Sequence, residues 1–133
     1  MKVSAVCVLA ALCAAPASAC YYGPLPVTFA GHTAQLSSNG SGALSAYVEM
    51  RCDRKRCDNR VLVIFYGGVP TRSSAKALQD KRRQVVHSYL IASGVPNDAI
   101  SVVVSKVAAP AYLHYEEKTP APASVELTNG CGA

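Results

Sequence analysis

The chain is short of the patterns that mark an enzyme or a membrane span. It holds no GxSxG nucleophile elbow, no HExxH zinc pair and no phosphate-binding P-loop. Glu116 and Glu117 stand side by side, and on an exposed loop such a pair means solvation rather than acid and base work. The chain is therefore expected to be non-catalytic and to need no cofactor. Beyond residue 19 no stretch is long and apolar enough for a transmembrane helix. Basic residues do gather between Arg51 and Arg60, but no aromatics are interleaved with them, which argues against a nucleic-acid site and for a solvated turn. No internal repeat or separate linker is visible.

Residues 1 to 19 read as a secretory signal. Lys2 gives the positive start, Val3 to Ala15 is too short an apolar run to span a bilayer, and Ala17-Ser18-Ala19 forms a small-residue cleavage site. Cleavage there leaves residues 20–133, a length that suits one domain with one core. It removes Lys2, so twelve basic residues face eight acidic ones and the net charge falls from +5 to +4. It also removes Cys7 and Cys13 and leaves Cys20, Cys52, Cys57 and Cys131. An even set in a small exported chain predicts two disulfides, and of the three possible pairings Cys52 with Cys57 and Cys20 with Cys131 is favoured. In the chain-entropy model the long loop is worth about 4 to 5 kcal/mol and the short one about 2. Zinc is the competing use, but Cys52 and Cys57 lack a second matched pair and His32, His87 and His114 are scattered, so no metal is expected.

The segment Ala77 to Val102 spells a helix, a stop and a strand in succession. Leu78, Arg82, Val85, Val86, Tyr89 and Leu90 recur at intervals of three and four and define one broad face. Ser73 and Ser74 are predicted to cap the helix start, Gly94 to end it in the left-handed conformation, and Pro96 to prevent its continuation. The β-branched run Ile100 to Val104 reads as a buried strand. Arg82 is the anomaly, a charge on the face that meets the core. Either its methylenes cover apolar surface while the head reaches water, or the guanidinium is held ready for an anion; position alone favours the first.

Elsewhere, Val27 to Phe29 reads as a short first strand, and Leu44, Tyr47, Val48 and Cys52 give a first helix its apolar face. Gly40 and Gly42 weaken that helix's beginning. Val61 to Tyr66 is a nearly continuous apolar run suited to a central strand covered on both faces, and Gly67-Gly68-Val69-Pro70 breaks it. Ala111 to Thr119 is assigned to loop. The order strand, helix, strand, helix, strand, strand implies an α+β two-layer sandwich with helices packed on a mixed sheet.

The Ala77–Val102 segment resembles the second helix and following strand of the OmpA-like domain, whose pattern runs NxxLSxRRAxxVxxYLxxxGIPxxRI. Leu78, Lys81, Arg82, Val86, Tyr89, Leu90, Gly94, Val95, Pro96 and Ile100 fall in register without a gap. The register runs on to Pro110, upstream Phe29, Leu36, Gly40 and Leu44 match the opening strand and first helix, and Ser124 to Leu127 resembles the last strand. The resemblance spans roughly Val27 to Leu127 and implies a βαβαββ fold that binds the diaminopimelate of the peptidoglycan peptide. It implies an aspartate, from a GHTD motif after the second strand, on the ligand's ammonium and the helix arginine on its carboxylate. Arg82 stands at the arginine position, while the aspartate position falls on Gly67 and no acid occurs from Val61 to Ala77. The family's asparagine before the helix leucine falls on Ala75, and the arginines before the last strand fall on Ala123 and Ser124. Gly31-His32-Thr33-Ala34 spells three letters of that motif, but it follows the first strand and ends in alanine, so His32 reads as a loop histidine.

The resemblance thus points to a periplasmic protein of the Gram-negative envelope, associated with the outer membrane or peptidoglycan. Its partner would be the peptidoglycan peptide, held weakly or not at all, or another envelope protein bound by a degenerate, purely structural unit. Relatives of this kind include lipoproteins acylated on a cysteine placed like Cys20. Ala17 stands where such signals usually carry leucine, and acylation would leave Cys131 unpaired, so the disulfide is favoured.

Overall fold

The computed structural model describes residues 22–52, 59–113 and 121–128. The signal segment and Cys20, Cys57 and Cys131 lie outside these residues, as do His114, Glu116 and Glu117. Four strands and two helices follow the expected order: β1 (Tyr22–Val27), α1 (Ser38–Met50), β2 (Arg60–Phe65), α2 (Ser73–Ala92), β3 (Ile100–Val104) and β4 (Ala123–Thr128). The sheet order is β1-β4-β2-β3. β2 and β3 are parallel, as the α2 crossover requires, and β4 runs antiparallel to both β1 and β2. The sheet is therefore mixed, with both helices contributing to one core.

Alternation along β2 sets the layers. Val61, Val63 and Phe65 are buried, whereas Leu62 and Ile64 between them are only half-buried. On the buried side they meet Leu44 and Tyr47 of α1, Val86 and Leu90 of α2, and Val125 and Leu127 of β4. Fully burying each such side chain is worth about 1.5 to 3 kcal/mol. The continuous apolar run of β2 suggests equal cover on both faces, and the structure corrects that: the helices cover one. Tyr89 joins the two helices, hydrogen bonding to the Ser45 hydroxyl and donating to the Ser41 carbonyl at 3.3 Å.

Several local expectations shift. β1 begins at Tyr22, earlier than the predicted Val27, while Phe29 lies beyond it in an isolated bridge to Leu36. Ser73 and Ser74 are the first helical residues of α2 rather than its cap; Arg72 occupies that position with no side-chain hydrogen bond. Gly94 does end the helix, with φ of +95°. β3 occupies the expected residues but is an edge strand with partly exposed side chains, not a buried one. Within Ala111 to Thr119, Ala111–Leu113 forms a short 3-10 turn and Leu113 is buried.

The starts and ends of α1 hold two further surprises. Gly40 weakens the helix only in isolation, because a Cβ there would lie 2.1 Å from the Thr28 carbonyl oxygen. The missing side chain is what lets α1 pack against the backbone leaving β1. Ser37 caps this helix, its Oγ accepting from the Gly40 amide at 3.0 Å and donating to the Thr28 carbonyl. At the other end Arg51 is buried, not part of a solvated turn. Its Nε donates to the Asn59 carbonyl at 3.2 Å, and Asn59 Nδ2 donates back to the Arg51 carbonyl at 3.0 Å. Cys52 follows the helix on an exposed turn rather than completing its apolar face.

Candidate functional site

Arg82 sits about two and a half turns into α2, at the sheet end where β2 gives way to the Gly67–Pro70 turn. Its guanidinium lies over the Phe29 ring, 4.6 Å from the ring centre. Phe29 in turn packs on Phe65 at a centroid distance of 6.4 Å, so the charge rests on an aromatic pair continuous with the core. Nε donates to the Thr33 carbonyl at 2.8 Å and Nη2 to the Gly31 carbonyl at 3.0 Å. Neither of the two sequence alternatives describes this alone: the side chain covers apolar surface, and its head is held by main-chain acceptors. Burial lowers the pKa of Arg82 from its ordinary value, yet an arginine stays protonated at any physiological pH.

The chain reaches this arrangement through the Gly31-His32-Thr33 turn. Gly31 adopts φ of +54°, and the Ala30 amide bonds back to Gln35 at 2.8 Å, closing a tight turn whose Gly31 and Thr33 carbonyls are directed at α2. His32 is exposed on that turn, as expected of a loop histidine. Sequence reasoning discarded the turn as a false match to an acidic motif and so missed its backbone role. The only available signal was its left-handed glycine beside an aromatic, which is too common to single out a partner.

On the other side of Arg82 lies a cavity of about 200 Å³, lined among others by Tyr66, Pro70, Leu78, Gln79 and Pro122. Gln79 Nε2 donates to the Gly68 carbonyl at 3.0 Å, while its Oε1 is buried without a hydrogen-bond partner in the protein. Gln79 thus lines the cavity with an acceptor not yet used within the protein, and Arg82 edges it with a cation suited to an anionic group. Gln79 was not singled out in the sequence, where it reads as an ordinary polar helix residue. Gly67 takes the place where the resemblance expects an acid, and no carboxylate lines this cavity among the described residues. Gly67 and Gly68 have φ of +88° and +77°, and their amides donate at 2.8 Å to the carbonyls of Val107 and Ser105. Arg72 is exposed nearby in sequence and makes no described contact with Arg82.

Other singled-out groups stay apart from this place. His87 Nε2 bonds Asn97 Oδ1 at 2.8 Å on a different part of α2. No three potential metal-ligating side chains come together among the described residues, and no described helix is long and apolar enough to cross a membrane.

Two helices against one face of a four-stranded mixed sheet in the order β1-β4-β2-β3, with an arginine of the second helix beside the first loop, define an α+β fold of the OmpA-like kind. The OmpA-like domain of FopA1 from Francisella tularensis subsp. tularensis SCHU S4 has this fold, with a TM-score of 0.56 and 21% sequence identity over 80% of this chain and 77% of that one. No protein-family model and no curated protein sequence matches the chain.

Proposed function

We propose that the chain is an exported, non-catalytic binding module of the Gram-negative cell envelope, working in the periplasm in association with the outer membrane or peptidoglycan. On this reading residues 1–19 are removed and 20–133 form one domain braced by Cys52–Cys57 and Cys20–Cys131 disulfides. The reciprocal Arg51–Asn59 hydrogen bonds draw the ends of the intervening loop together, which supports the first pairing. The observation that carries the binding role is the cavity that Arg82 and Gln79 line together. The carbonyls of Gly31 and Thr33 fix the guanidinium but bring only dipoles, so its positive charge remains unneutralised at the cavity rim. A carboxylate with a neighbouring N–H, as on a peptidoglycan peptide, fits that pair. Gln79 replaces a charged partner with a neutral one, and the affinity is accordingly about a hundredfold below that of an acid-bearing site.

The second reading is a structural or protein-interaction unit that binds no diaminopimelate. It is favoured by how fully Arg82 is used within the fold. Sedimentation with purified diaminopimelate-type sacculi separates the two. Weak retention of the parent, release of Arg82→Ala and stronger retention of Gly67→Asp are expected. If neither the parent nor Gly67→Asp cosediments, the interaction unit is what remains.

A further inference from the structure

The two edges of the sheet are built differently. β1 carries Pro24 and Pro26 and its pairing with β4 shifts register between Tyr22 and Leu25, devices that prevent an edge from accepting another strand. β3, reading ISVVV, has no charge, proline or glycine, and pairs with β2 in unbroken parallel register from Ile100 to Val104. Among the described residues nothing pairs with its outer side. The Ser105 amide donates to the Phe65 carbonyl of β2, so alternation turns the amides of Ser101 and Val103 inward and those of Val102 and Val104 outward.

The space beside this edge is also unfilled. Val102 points to the helix side, in line with Val63, yet remains partly exposed where Val63 is fully buried. It forms the floor of a groove of about 510 Å³ whose wall is the Asp80, Arg83, Gln84, His87 and Ser88 face of α2. Arg83 Nη1 lies 3.9 Å from Asp80 Oδ1, and Arg83 Nε is buried with no hydrogen-bond partner. On the opposite side of β3, Val103 is 42% exposed.

We propose that β3 is a dimerisation edge, pairing antiparallel with β3 of a second copy across a two-fold axis at Val102. In that register Val102 faces Val102, Ile100 faces Val104 and Ser101 faces Val103, so outward amides meet outward carbonyls and, on the helix side, apolar side chains meet apolar ones. The occupant is a second copy because the groove is self-complementary. It presents one acid and one base, Asp80 and Arg83, whose counterparts arrive reversed from a two-fold mate, whereas a groove of single sign would select a foreign partner of opposite charge. The Arg82 cavity involves different residues and is not part of this pairing.

Sedimentation velocity of the purified, oxidised protein from low to high micromolar concentration tests this. A reversible monomer–dimer equilibrium is expected. Val102→Pro, which removes an outward amide and no bond to β2, should raise the dimer dissociation constant at least about tenfold. Val103→Lys keeps every backbone donor and places a charge on the exposed side of the edge, and it should shift the equilibrium the same way. Val102→Cys should form a covalent dimer on mild oxidation, since Cα atoms in a hydrogen-bonded antiparallel pair lie about 5.5 Å apart, within disulfide reach. Leu25→Cys on the β1 edge should not. A chain that stays monomeric throughout, or that keeps its dimer in both β3 variants, or that crosslinks as readily through position 25, overturns the proposal.

Discussion

Two glycine-bearing turns flank Arg82, and they treat it in opposite ways. The turn after β1 directs the carbonyls of Gly31 and Thr33 outward onto the guanidinium. The turn after β2 spends the amides of Gly67 and Gly68 on Val107 and Ser105, and its Gly68 carbonyl goes to Gln79. The first holds the arginine's geometry; the second brings no counter-charge to the cavity beside it. A guanidinium can thus be held in place with no carboxylate beside it among the described residues, because main-chain carbonyls satisfy its hydrogen bonds without cancelling its charge.

If the first turn is the one that carries structure, changes around it should be the costlier ones. Gly40→Val should have the largest effect, about 3 kcal/mol of lost stability, because the new side chain collides with rigid backbone at Thr28. Chemical denaturation of the variant would measure it, and a loss below a few tenths of a kcal/mol would show that α1 is free to move away. Phe29→Ala should cost about 2 kcal/mol, removing the platform under Arg82 and the contact with Phe65. Val69→Ala in the second turn alters a side chain that is 57% exposed and should change stability by no more than about 0.5 kcal/mol. Comparable losses for Phe29→Ala and Val69→Ala would erase the contrast between the turns.

The same contrast explains what the sequence could reveal. Periodicity placed α2, β2 and β3 because their side-chain spacing follows directly from burial, and Gly94 marked the helix end because its backbone must turn left-handed. It could not distinguish β3 as an edge: a β-branched run looks the same whether one or two strands lie beside it. The arginine was legible as an anomaly on an apolar face. Its acceptors were not, since any residue supplies a carbonyl and only the folded path of the Gly31–Thr33 turn selects these two. Gln79 was hidden for a related reason, as its buried oxygen depends on how Gly68 is placed. Arg51 misled because a run of charges usually means solvent, whereas here one member reaches back to the Asn59 backbone.

Arg82→Ala should be a smaller perturbation than either change at the first turn's hydrophobic contacts, about 1.5 kcal/mol, since the group is only part-buried and its acceptors regain water when it leaves. Arg82→Lys separates charge from geometry. A lysine keeps the positive charge but cannot span the Thr33 and Gly31 carbonyls with a planar fork, so it should recover less than half of the lost stability. Full recovery, read as an unchanged denaturation midpoint, would mean that the two carbonyl contacts contribute little.

Gly67→Asp addresses the second turn directly, and its expected effect on stability lies below that of Arg82→Ala. A Cβ at residue 67 meets no atom within 4 Å, so the cost comes from the backbone, whose φ of +88° is strained for any residue with a side chain. Aspartate tolerates the left-handed region better than most, which sets the penalty at about 1 kcal/mol. The amide of residue 67 keeps its bond to Val107, because aspartate retains the N–H that proline would lack. A carboxylate there would restore a counter-charge on the side of the cavity that now has only glycine, and binding to sacculi should rise by about a hundredfold if Arg82 still faces a ligand. Unchanged binding with intact folding would instead mean that the first turn has claimed the arginine entirely, making the two turns differ in function as well as in bonding.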